Sequence, residues 1–124
     1  MMDMICTSIE QSKILIKLGI DVNTADMYWS MDEIPYLPFP VNDIVTDWEY
    51  GQENGMLPAW SLSALLELMP DIIHIDSDND GYLRLNKTSV WYVDDYKDVP
   101  ISFNSKPIDA AFEMVCWLLE NKKL

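Results

Sequence analysis

Asp76-Ser77-Asp78-Asn79-Asp80-Gly81-Tyr82-Leu83-Arg84-Leu85-Asn86-Lys87 decides the fold of this chain. Read forward, it begins as a calcium loop: aspartates at 76, 78 and 80, then Gly81, then Leu83 where such loops carry an aliphatic anchor. An EF-hand loop closes with a bidentate glutamate at its twelfth position and lies between two helices. Here the twelfth residue is Lys87 and the ninth is Arg84, so cations stand where ligands belong. The flanks, Ile72-Ile73-His74-Ile75 and Tyr82-Leu83-Arg84-Leu85, alternate as strands do. The stretch therefore reads as a β-hairpin with a three-residue loop, Asn79-Asp80-Gly81, in which Gly81 supplies the left-handed residue. That register sets Asp78 opposite Tyr82, Ser77 opposite Leu83, Asp76 opposite Arg84 and Ile75 opposite Leu85. Ile73, Ile75, Leu83 and Leu85 then share a core-facing side, while His74 lies across from Asn86 on the polar side. The expected number of bound metals and cofactors is none.

Outward from the hairpin, helices flank the β-rich centre. Thr7 and Glu10 fit a capping box ahead of a helix at 8–18, and Gly19 can close its C-terminus. "PAWSLSALLELMP" (58–70) carries a second helix, capped by Ser61, patterned by Leu62, Leu65, Leu66 and Met69, and stopped by Pro70. The third starts at Pro107, with Asp109 near its positive end and Lys122 and Lys123 at its negative end. Ile108, Ala111, Phe112, Val115, Leu118 and Leu119 form its apolar stripe, flanked by Met114 and Trp117. Strands are expected at "DIIHID", "YLRLN", "SVWYVDD" and "ISFN", with a short one near 25–30.

The expectation is one α+β domain, residues 1–124, in the order α-α-β-β-β-β-α. Its three helices pack on one face of a three- to four-stranded antiparallel sheet. Between 20 and 59 the pattern is irregular. "IPYLPFP" (34–40) excludes helix and any central strand, and "YGQENG" (50–55) reads as a turn or loop tip. Tyr36, Leu37 and Phe39 are expected to lay the proline-rich stretch across the core. Trp48, Tyr36 and Phe39 are also the candidate interaction surface, and Trp48, among polar neighbours, is the one expected to be most exposed.

The 124 residues carry a net charge of −13 with five Trp and six Tyr, a composition of folded rather than disordered chains. The two ends are neutral. Between 21 and 100, sixteen acids face only Arg84, Lys87 and Lys97. Such a field repels phosphate backbones, which speaks against direct nucleic-acid binding; it either suits a basic protein partner or only keeps a Trp-rich domain soluble. Cys6 and Cys116 lack metal-ligand spacing and read as reduced thiols, with a Cys6–Cys116 bridge as the alternative. The first twenty residues lack a signal-peptide pattern and no apolar run is long enough to span a membrane, so a cytoplasmic protein is expected.

Catalytic signatures are absent. His74 is the single histidine, without a nucleophile elbow or a cysteine-protease motif to partner it. Asp94 and Asp95 would point to opposite faces of a strand, and with Asp98 they read as a solvated loop. The sequence reading is a small acidic, non-catalytic accessory or regulatory protein, monomeric or homodimeric. The alternatives are a mobile-element inhibitor that mimics nucleic acid with its carboxylates, and an enzyme of unrecognised type.

"TADMYW" (24–29), "PAWSLSALLELMP" (58–70) and "DAAFEMVCWLLENKKL" (109–124), in this order and spacing, resemble a family of small uncharacterised proteins of gut bacteria and their prophages. The resemblance implies a bacterial cytoplasmic protein, with no activity and no functional residues to carry over.

Overall fold

A computed structural model describes residues 5–32, 34–41, 48–53, 55–75, 79–93, 101–104 and 106–124; for 49, 50, 53, 101, 102 and 104 it describes the backbone alone. The class is α+β. The chain divides into two compact units, 1–64 and 65–124. Where the sequence suggests one sheet, the described residues form two, with three strands in the first unit and four in the second.

Helix α1 spans Ile9–Lys17. Its cap is Ser8 with Gln11, one residue beyond the Thr7/Glu10 box expected: Gln11 N–H donates to Ser8 Oγ at 3.1 Å, and Ser8 N–H to Gln11 Oε1 at 2.9 Å. Thr7 is unavailable for capping because its hydroxyl is engaged elsewhere. It hydrogen-bonds Ser12 Oγ at 2.8 Å and accepts from Trp60 N–H at 3.1 Å, all within the buried interior. The helix ends as expected at Gly19, whose φ of 95° is left-handed, with Gly19 N–H on Ile16 O and Ile20 N–H on Leu15 O. The apolar face is narrower than the composition suggests, since Ile14 is exposed and Leu15 is fully buried.

The strand expected near 25–30 is β1, Met27–Ser30. It is the middle of three: β2 (Leu37–Pro40) lies on one side and β3 (Met56–Ala59) on the other, both antiparallel. Met27 and Trp29 point inward with Ala59 and meet Cys6, with Ile9, Met31 and Leu57 around them. The proline-rich stretch does form a strand, but an edge one, the sheet position that tolerates proline. Val41 N–H donates to Asp26 O, which puts the β1–β2 ladder bonds on even residues of β1. Pro38 and Pro40 therefore fall between ladder bonds, and their nitrogens, which carry no hydrogen, face away from β1. Where "YGQENG" (50–55) reads as a turn or loop tip, Trp48–Glu53 form a short helix α2 that packs against β3.

Helix α3, Leu62–Leu68, starts where expected: Ala64 N–H donates to Ser61 Oγ at 3.1 Å. The second unit then holds β4 (Ile72–His74), β5 (Asp80–Leu85), β6 (Ser89–Val93) and β7 (Ile101–Asn104), antiparallel and in sequence order. The hairpin is real, but its register is not the one the turn signal implies. Tyr82 faces Ile72 rather than Asp78, and His74 faces Asp80 rather than Asn86. Gly81 is not a left-handed loop residue; it is paired with Ile73 inside the strand. A Cβ at Gly81 would lie 2.8 Å from Ile75 Cδ1 and 3.2 Å from Tyr92 Cβ, so the glycine serves close packing instead. The displacement is an even number of positions, which leaves face assignments intact. Ile73 is buried, Ile75 and Leu83 are half-buried, and only Leu85, at the strand's end, is exposed. The expected Asp76–Arg84 pair and the turn aspartates 76 and 78 lie outside the described residues, as do Asp94, Asp95 and Asp98.

Helix α4, Pro107–Glu120, packs on β6 and β7. Its stripe is rotated slightly from the expected one: Met114 and Ala110 are fully buried, whereas Phe112 and Leu119 are half-buried. Its C-terminus uses the same paired closure as α1, with Lys122 N–H on Leu119 O and Lys123 N–H on Leu118 O. Here the left-handed residue is Lys122, at φ 55°, where glycine is the usual occupant. Tyr92, fully buried beneath the helix layer, donates its hydroxyl to Pro70 O at 2.7 Å.

Candidate interaction surface

Of the three surface candidates, the structure separates Trp48 from the other two. Trp48 is buried, at 7 % exposure. Its polar neighbours suggested an open loop, but a short helix turns Trp48 and Gly51, three residues apart, to the inside and leaves Gln52 outside. A side chain at Gly51 would touch the Trp48 ring and Met56, which locates the indole between α2 and β3. Tyr36 and Phe39 are exposed, at 42 % and 41 %. Leu37, at 51 %, and Ile34, at 86 %, extend the same strip. The proline-rich stretch is therefore surface rather than core covering. Ile34 was not singled out by sequence, and the alternation that would mark it is broken by Pro35.

The strip is set by strand geometry. Phe39 and Leu37 sit opposite Tyr28 and Ser30, on the face of the sheet away from the Met27–Trp29 core. Tyr28 and Phe39 stack, with centroids 5.7 Å apart and planes 28° off parallel. That contact holds Phe39 in place, so its exposed edge is a fixed feature rather than a loose side chain.

Behind the strip the scaffold is tied by hydrogen bonds between residues far apart in sequence. Thr7 N–H donates to Trp60 O at 2.8 Å, Trp29 Nε1–H to Thr7 O at 2.9 Å and Trp60 Nε1–H to Thr24 Oγ1 at 2.9 Å. Asp26 accepts from Ser61 N–H at 2.8 Å and from the Ser61 hydroxyl. These residues are committed to one another and to the backbone, and no buried side-chain polar atom among the described residues lacks a partner.

Among the described residues the groups capable of chemistry are dispersed. His74 is at the surface of the second unit, with Nδ1 2.7 Å from Asp80 Oδ1. Cys6 and Cys116 are both free thiols. Burial, with Asp26 nearby, pushes the Cys6 thiol up to about 11, and burial with Glu120 and Glu113 does the same to Cys116, again to about 11. Both stay protonated at neutral pH and are poor nucleophiles there. Among the described residues no group of three or more His, Cys, Asp or Glu is placed to hold a metal. No described helix is long and apolar enough to cross a membrane. No family model, curated protein or solved structure matches the chain.

Proposed function

We propose that this chain is a small acidic, non-catalytic accessory or regulatory protein that works by contacting another protein, and that the contact is made by the strip on β2. The observation that carries this reading is the exposure of Ile34, Tyr36, Leu37 and Phe39 within six residues, the last two on the edge strand β2 and the first two in the segment leading into it. Aromatic and aliphatic side chains of this kind left in water, with Phe39 fixed by its stack on Tyr28, are what protein interfaces bury at their centre. Exposed Asp26 and Asp32 belong to the same unit, and the acid excess between 21 and 100 selects a basic partner and speaks against nucleic acid. Resemblance to small bacterial and prophage proteins fits an accessory role in the cytoplasm.

The test is retention of a partner from native-host lysate on immobilised wild-type protein and on a Leu37→Asp/Phe39→Asp variant, at low and high salt. A basic protein kept by the wild type, lost from the variant and released by salt supports the reading. Equal retention on the two columns, from a variant that is folded, sinks it.

A further inference from the structure

The first unit also contains an open cavity of about 240 Å³, lined by Lys13, Met31, Gln52, Gly55, Met56 and Leu57. Its wall is drawn from α1 (Lys13), α2 (Gln52), β3 (Met56 and Leu57) and the flanking residues Met31 and Gly55, so its shape follows from several elements rather than from one loop. Met31 N–H donates to Gly55 O at 2.7 Å, which fixes the two chain segments on one side. Gly55 has φ 78°, and a Cβ there would collide with the Asp32 carboxylate, so the backbone closes over this corner only with glycine. The interior is two thioethers and an isobutyl group, surfaces that adapt to an unbranched apolar chain. Among the described lining residues one group is charged, the exposed Lys13, and one is an amide donor, the exposed Gln52. The Asp32 carboxylate lies against Gly55.

We propose that this cavity binds a medium-chain monocarboxylate, with its alkyl tail on Met31, Met56 and Leu57 and its carboxylate at Lys13 Nζ and the Gln52 amide. This site is separate from the protein contact proposed above. A cavity of roughly 150 Å³ takes up benzene, so one of this size accommodates roughly eight to ten non-hydrogen atoms, the size of hexanoate or octanoate. An open site with one ion pair corresponds to a Kd on the order of 0.1–1 mM.

The experiment follows the methionine methyl resonances of ¹³C-methyl-labelled protein during titration with octanoate, with octylamine as the matched cation. Saturable shifts of Met31 and Met56, with Met69 and Met114 of the second unit unmoved, are expected. Lys13→Met should weaken octanoate roughly three- to fivefold while sparing the fold, because Lys13 is exposed. Met56→Trp, which fills the cavity, should abolish the shift of Met31, with a retained melting transition showing that the variant folds. No saturable shift up to about 10 mM, equal binding of octylamine, or an affinity unchanged in Lys13→Met would each overturn the proposal.

Discussion

Each unit is held together internally with a different emphasis. In the first, the ties are hydrogen bonds between residues far apart in sequence: Thr7 to Trp60, Trp29 to Thr7, Trp60 to Thr24. In the second, a single amphipathic helix lays six buried side chains over a sheet whose strands follow one another in order. A buried polar tie depends on both partners being present, because losing one strands the other without water. An apolar layer loses stability in proportion to the volume removed. The first unit is therefore the more specific in its geometry, and the second the more tolerant.

Substitution at one site in each unit tests this contrast. Leu118→Ala removes a fully buried side chain from α4 and should cost about 2–5 kcal/mol in denaturant unfolding, with Leu118→Met recovering most of it. Thr7→Val keeps shape but deprives Trp60 N–H and Ser12 Oγ of their partner, and should cost about 1–3 kcal/mol. Thr7→Ser should recover the larger part. A Thr7→Val protein as stable as wild type would break the comparison, since the network would then be incidental.

Alkaline titration sharpens it. Burial, assisted by Asp71, pushes the Tyr92 hydroxyl up to about 12, beside about 11 for Cys6 and Cys116. Each folded value lies above the unfolded one, so the neutral form is the one that the folded state favours. This contribution to stability is fully present below pH 9, the ordinary thiol value, and is lost as pH rises toward 11 for the thiols and from 10 toward 12 for Tyr92. The slope should approach about 1.4 kcal/mol per pH unit for each group that ionises only on unfolding. Tyr92→Phe should flatten the part above pH 10, although it also gives up the bond to Pro70 O. The smallest effect is a gain: Lys122→Gly relieves a left-handed lysine at the α4 terminus and should add up to about 1 kcal/mol, read as a raised midpoint.

The same contrast explains what was legible in the sequence. Helix α4, helix α3 and the faces of the hairpin strands were readable because their signals are local, a stripe or an alternation within a dozen residues. Register was not, because Gly81 announces a turn to its neighbours while its real constraint comes from Ile75 and Tyr92. The three-stranded sheet was half visible. β1 was expected, but its partners carry Pro38, Pro40 and Pro58, which read as strand breakers unless the strand is known to lie at an edge. Trp48 and Phe39 exchanged roles for a related reason. Polar neighbours imply exposure only if the local period is known, and the one-and-a-half turns of α2 are too short to announce themselves. Thr7 looked like a helix cap, and only its distant partners reveal it as the hub of the first unit.

The prolines of β2 also bear on how this protein behaves when concentrated. An edge strand that displays Leu37 and Phe39 to solvent would ordinarily be a template on which further copies stack edge to edge. Such growth needs N–H donors along the open side, and at positions 38 and 40 there are none to offer. Adhesive side chains are thus displayed on a backbone that resists being extended. Replacing Pro38 and Pro40 with threonine should turn this exposed strip into a seed for fibres.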